Sequence, residues 1–277
     1  MLATEKLSPH MALAVSGIDL NKRADAPTQA ALIRALYVNL VLCIRGQDLA
    51  PVPFRDAMAR FGTPVQRKQL EQTPECADVN IISSEDRDVL GDGKRLVNGA
   101  SWHTDDSFMR APCSLTMLYG VVVPSTGGDT QFTNMYAAYN DLSAELRAHI
   151  DGLKVIHKYR SSRTARVAVR PADEMDAMPE ATHPLVRTHP ETKRKSLYLN
   201  PNRMEQIAGM ERAESDKLLD ALVAHSIQPK YQYRHVWQKG DIVIWDNRCT
   251  MHKANADYPD GEQRLMHRVI VAGTEPY

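Results

Sequence analysis

The chain has 277 residues, 43% of them hydrophobic and 25% charged, and its 34 basic residues balance 34 acidic ones. This is the composition of a soluble globular protein and excludes disorder, collagen and coiled coil. Zero net charge argues against nucleic acid or a membrane surface as partner, and apolar stretches such as 11–15 and 121–123 fall far below the roughly 18 residues needed to span a bilayer.

Residues 12–20 alternate loosely and end in a glycine-containing turn, which suits a strand. Pro27 opens a helical stretch with Leu32, Leu36 and Leu40 on one face. Residues 41–44 form a short apolar strand stopped by Gly46. Residues 53–61 predict a second helix, with Phe54, Met58 and Phe61 at helical spacing and Gly62 as its stop. From about residue 78 the pattern turns to short β runs, at 79–83, 115–123, 129–133, 196–199, 241–245 and 265–271. Helices at 136–150 and 213–225 interrupt them. No βαβ rhythm appears, so antiparallel strands with helices packed outside them are expected.

The length fits one domain over residues 1–277, large enough to fold without disulfide or metal staples. Cys43, Cys76, Cys113 and Cys249 are scattered without a CxxC pair, and the first residues lack a charged-then-apolar signal pattern. Reduced core thiols and a cytoplasmic location are expected. Residues 158–184 stand apart. Five basic residues (Lys158, Arg160, Arg163, Arg166, Arg170) precede four acids (Asp173, Glu174, Asp176, Glu180) without periodicity. The stretch predicts a solvated surface loop or a lid over a site.

Ten histidines invite a search for a metal site. His-x-Asp/Glu occurs three times, where chance gives about one. A pair at i and i+2 shares a face only on an extended chain. His149-x-Asp151 ends a predicted helix, and His189-x-Glu191 flanks a proline in a turn expected to be solvated. His103-x-Asp105 lies in a stretch without helical periodicity, where imidazole and carboxylate converge and Asp106 faces away. A facial triad needs one more histidine, and His252, just beyond the apolar strand at 241–245, is the best candidate. On the C-terminal strand, Arg264, Met266, Arg268 and Ile270 share one face, with the arginines about 13 Å apart. Either this face points into a barrel, where two guanidiniums need anions, or it meets water and the Leu/Val face is the core.

These segments, taken in order, resemble the taurine dioxygenase and 2,4-dichlorophenoxyacetate dioxygenase family of Fe(II)- and 2-oxoglutarate-dependent oxygenases. The resemblance runs from about residue 10 to 275 and rests on His103-x-Asp105, Gly127-Gly128-Asp129-Thr130, Trp245-Asp-Asn-Arg…His252 and Arg264-x-x-x-Arg268. It implies a mainly β fold with a double-stranded β-helix (jelly-roll) core and flanking helices. It assigns His103, Asp105 and His252 to Fe(II). It assigns Arg264, with the Thr130 hydroxyl, to the distal carboxylate of 2-oxoglutarate, and Arg268 to the iron-side carboxylate or the substrate. It implies that O2 oxidises 2-oxoglutarate to succinate and CO2 while a substrate carbon is hydroxylated, with C–heteroatom cleavage as one outcome. It also suggests a dimer or tetramer.

The taurine-contacting positions of the family fall here on Arg67 and Leu70, with Asn98 beside a third at Gly99. Arg67 repels an ammonium group, so taurine itself is disfavoured. Arg67, Lys68 and Arg268 suit a small organic anion: a sulfonate, aryloxyalkanoate, sulfate ester or other carboxylate. Trp245 is read as packing beside the iron. Two rival readings stand: a 2-oxoglutarate-independent metal enzyme on a cupin-like barrel, and a non-catalytic protein binding a small acid.

Overall fold

The computed structural model describes residues 3–67, 70–83, 99–163 and 178–277. Its strands are β1 (Ala3–Lys6), β2 (Leu13–Ser16), β3 (Val41–Ile44), β4 (Gln72–Thr73), β5 (Cys76–Ser83), β6 (Leu115–Val122), β7 (Thr130–Asn134) and β8 (Lys154–Lys158), followed by β9 (Glu180–Pro184), β10 (Val186–Thr188), β11 (Lys195–Leu197), β12 (Met204–Ile207), β13 (Gln232–His235), β14 (Ile242–Asp246), β15 (Thr250–Ala254) and β16 (Leu265–Val271). The α-helices are α1 (Ala26–Asn39), α2 (Pro51–Met58), α3 (Met135–Asn140), α4 (Ala144–Ile150) and α5 (Arg212–Ser226).

Eight strands form one sheet in the order β1-β2-β3-β14-β6-β16-β5-β4, and β13-β7-β15 form a second. Pairing in the large sheet is antiparallel except between β2 and β3, which run parallel. Strand alternation sorts the side chains into two cores. Leu42, Ile44, Leu115, Met117, Tyr119, Ile242, Ile244, Val269 and Val271 pack outward against Leu32 and Leu36 of α1 and Phe54, Ala57 and Met58 of α2. Val41, Cys43, Leu118, Val243, Trp245 and Met266 point inward and meet Phe132 and Tyr233 of the second sheet. Two sheets closed over an apolar interior are the jelly roll that was expected. A third core packs α3 and α5 over the shorter strands.

The two faces of β16 are therefore both buried. One meets the helices and the other meets the second sheet, so the arginine-bearing face and the Leu/Val face do not compete for the core. No helix among the described residues is long and apolar enough to cross a membrane.

The structure corrects some local expectations. The helix predicted over 136–150 is two helices, because the Ser143 hydroxyl accepts from the Leu146 N–H at 3.1 Å and starts a new one. Within 158–184 both ends are strands, β8 and β9, paired antiparallel. Arg163 is not fully solvated: it is half-buried and pairs with Asp216 and Asp220 of α5. Residues 164–177, with Arg166, Arg170, Asp173, Glu174 and Asp176, lie outside the described residues.

Candidate metal centre

His103 and His252 meet through the backbone. The His103 N–H donates to the His252 carbonyl at 3.0 Å, and the His252 N–H donates to the His103 carbonyl at 2.8 Å. Residues so paired project their side chains from the same face. Across the second sheet, Tyr233 of β13, Phe132 of β7, His252 of β15 and His103 are successive register partners. All four therefore face the interior, and the two imidazole centroids lie 4.1 Å apart. Two residues further along the extended chain, Asp105 returns to the same side. Its Oδ1 is 3.7 Å from His103 Nε2, and its Oδ2 is 3.9 Å from His252 Nε2. One ligand atom from each residue lies within 4.8 Å of the others.

The protonation states of His252 and Asp105 suit a divalent metal. The His103 Nδ1–H donates to the Ser101 carbonyl at 2.8 Å, which turns Nε2 towards Asp105. Burial and the neighbouring His103 push the His252 pKa down to about 3, so its ring is neutral near pH 7. His252 is buried, and its Nδ1 has no hydrogen-bond partner among the described residues. Burial opposes ionisation of Asp105, but the charges of His252, Arg268 and His103 and the Thr116 hydroxyl outweigh it and bring its pKa down to about 2. Two imidazoles and one carboxylate on one face are a facial donor set for a first-row metal, with positions left open. The donor set thus fits an iron(II) centre.

Residues not singled out from the sequence hold this set. Thr116 of β6 donates to Asp105 Oδ2 at 2.5 Å. Asn247 Nδ2 donates to the Thr116 hydroxyl at 2.8 Å, and Trp245 Nε1 donates to Asn247 Oδ1 at 3.1 Å. Asn247 is the asparagine of the Trp-Asp-Asn-Arg stretch that carries the resemblance, so a signal was present without a role attached to it. Trp245 packs on His252 at 4.6 Å between ring centroids, as read. Partners of this kind tune metal affinity by about 10- to 100-fold. Asn247→Ala is therefore expected to weaken Fe(II) binding by about that range in an anaerobic titration, with the fold retained; unchanged binding would show that the Thr116–Asp105 contact needs no support.

Two further His/Asp/Cys clusters lie among the described residues: Cys43–His235–Asp241 and His189–Asp246–Cys249. Both are buried, and each carboxylate is already held by an arginine, Arg45 at 2.6 Å and Arg248 at 2.7 Å. The second corrects the reading of His189 as solvated. His189 is fully buried, with Nε2 2.9 Å from Asp246 and Nδ1 accepting the Glu191 and Thr192 N–H groups. The turn wraps around the imidazole. His149 sits in the last turn of α4 and Asp151 caps it, as anticipated, with Asp151 paired to Lys195 at 2.8 Å.

Arg264 is buried, and its Nε donates to the Gly128 carbonyl at 2.8 Å. Burial lowers its pKa to about 10 despite Tyr258 and Asp129, a penalty that an incoming carboxylate relieves. The Thr130 hydroxyl accepts from Trp237 Nε1 at 3.0 Å, leaving its own proton to donate. Arg268 lies on the same inward face of β16, and its buried Nε has no hydrogen-bond partner among the described residues. Arg67 does not stand as a bare cation: its Nε donates to Asp106 Oδ2 at 3.1 Å, so Asp106 does turn from the trio, towards Arg67. Asn98 and Lys68 lie outside the described residues.

Residues 3–270 match the model of the taurine catabolism dioxygenase TauD, TfdA family. The alpha-ketoglutarate-dependent 2,4-dichlorophenoxyacetate dioxygenase of Cupriavidus pinatubonensis is 33% identical over 89% of this chain and 90% of its own. The alkylsulfatase of Acinetobacter baylyi is 30% identical over 98% of this chain and 85% of its own. The crystal structure of AAD-2 in complex with Mn(II) and N-oxalylglycine superposes with a TM-score of 0.84 at 32% identity, covering 100% of this chain and 99% of that one.

Proposed function

The chain belongs to the taurine catabolism dioxygenase TauD, TfdA family of Fe(II)- and 2-oxoglutarate-dependent oxygenases, and on that footing we propose that its His103, Asp105 and His252 hold the iron while Arg264 and Thr130 hold 2-oxoglutarate. The observation that carries this is the backbone bridge pairing His103 with His252, which aims both rings and Asp105 at one point. When bound, the iron and 2-oxoglutarate supply the oxidant, drawing on O2 and releasing succinate and CO2 as a substrate carbon is oxidised.

The protein's own part is binding, orientation and exclusion of water. Arg264 presents a planar fork from a buried position and can grip a carboxylate with two charge-assisted hydrogen bonds. The Thr130 proton is directed by the Trp237 donor on the other side of its oxygen. Trp245 and Phe132 wall the metal side with apolar rings, 5.4 Å apart at their centroids. Arg268 offers its guanidinium nearer the trio.

Gly127 and Gly128 set the position of Arg264. Both have positive φ, +70° and +66°, and a Cβ at Gly128 would meet Pro124 Cγ at 2.9 Å and Arg264 Cδ at 3.2 Å. Gly128→Ala is expected to raise the 2-oxoglutarate concentration for half-maximal turnover by about tenfold, the effect of roughly 1.4 kcal/mol of misplacement. A normal requirement in a folded variant would show that the loop yields without moving Arg264.

The substrate in this reading is a small organic anion. Relatives are named for an aryloxyalkanoate, alkyl sulfates and sulfate esters, and Arg268 supplies a partly buried cation for such a group. The test is an anaerobic titration with Fe(II) and 2-oxoglutarate, followed by a panel of anions. A visible charge-transfer band that one anion shifts supports both parts. No band would favour a metal enzyme that does not use 2-oxoglutarate.

A further inference from the structure

The cations near the metal trio are not equivalent. Arg268 pairs in register with Asn80 of β5 on one side and Leu118 of β6 on the other. Thr116, two residues before Leu118 and on the same inward face, donates to Asp105 Oδ2 at 2.5 Å. Asn80 Nδ2 donates to the Arg67 carbonyl at 3.1 Å. The registers of β5, β6 and β16 thus gather Arg268, Asp105 and the Arg67 backbone at one end of the barrel. Arg67 reaches Asp106, the residue next to Asp105, with its Nε and a second guanidinium nitrogen both on Oδ2. The pair is partly open, with side chains 19% and 16% exposed. Asp106 is held at φ +55°, a conformation in which Asp and Asn are favoured among non-glycine residues.

We propose that the Arg67–Asp106 ion pair is a specificity-determining device that sets the charge of the accepted anion. Arg67 is held by a hydrogen-bonded carboxylate of its own, Asp106, whereas Arg268, beside the metal-facing Asp105, has a buried Nε with no hydrogen-bond partner among the described residues, so the site selects a substrate bearing one negative charge over one bearing two. This rests on the anionic substrate of the proposed function. It accounts for two arginines beside one site without requiring a dianion. It also gives the left-handed backbone at Asp106 a purpose, since that turn directs the carboxylate to Arg67 while Asp105 faces the histidines.

Asp106→Asn is the direct probe. Asparagine tolerates the same φ and matches the shape, so the change removes a charge and leaves the turn. The measurement is the dissociation constant of hexyl sulfate, a monoanion, and of hexyl phosphate, close to a dianion at about pH 8 given a second pKa of about 6. Both are read as shifts of the visible band of the anaerobic Fe(II)–2-oxoglutarate enzyme. The wild type is expected to favour the sulfate. D106N should move the ratio towards the phosphate by about tenfold or more, a size set by one unscreened charge at a partly solvated site. The double variant R67M/D106N should return the ratio to the wild-type value, and R67M alone should weaken the phosphate more than the sulfate. Equal ratios in all four proteins with the band present, or binding of neither ester by any of them, would overturn charge selection alone. Absence of the band in the wild type would instead sink the underlying cofactor reading, and charge selection with it.

Discussion

Replacing His252 with Ala is expected to abolish substrate-dependent succinate formation. Loss of a supporting contact one step removed from a metal costs about 10- to 100-fold, so removal of one of only three protein donors should exceed that and leave activity at background. The ring is also part of the interior packing, 4.6 Å from Trp245 and 6.2 Å from Phe132 between centroids. A circular-dichroism spectrum and an unfolding midpoint therefore accompany the assay. A folded variant that binds no Fe(II) and forms no succinate is the expected result. A folded variant with full activity would remove His252 from the site, and the His103 pairing would then be a purely structural bridge.

Arg264→Ala is expected to raise the 2-oxoglutarate requirement by about 10- to 150-fold, the equivalent of about 1.5–3 kcal/mol for hydrogen bonds to a charged group. Lysine should not restore it. Arg264 Nε is committed to the Gly128 carbonyl, which orients the rest of the fork, and an ammonium group can match neither that donor nor a two-point grip on a carboxylate. Saturation with 2-oxoglutarate should recover much of the maximal rate, since the reacting end of the cosubstrate does not depend on Arg264. An unchanged requirement in a folded R264A variant would place the distal carboxylate elsewhere.

Much of this was legible from residue order. Rejecting His149-x-Asp151 needed only helical geometry, and the structure keeps that pair at the end of α4. The strand at 41–44 and the strand at 265–271 are found at the residues expected. His189 was misjudged because a histidine beside a proline looks like surface in one dimension. Its burial follows from Asp246 and Tyr37, distant in sequence, closing over it. The strands β8, β13 and β15 were missed because they are short and mix polar with apolar residues, and their stability comes from cross-strand partners rather than from propensity.

What the sequence determined alone is the chemistry available: a histidine and a carboxylate two residues apart on an extended chain, a second histidine after an apolar strand, and two arginines four residues apart on another. Local periodicity settles such facts, because it depends only on backbone geometry. What the tertiary structure decided is which of these groups meet. The register between residue 103 and β15 placed one imidazole against the other. The packing of α1 and α2 outside the large sheet buried the second face of β16, so the arginine face could be interior without exposing the Leu/Val face. The contact between Arg67 and Asp106 turned an apparent cation into a neutral pair. Each of these depends on contacts between residues far apart in the chain, and hydrophobic burial and strand pairing fix those only when the whole fold closes.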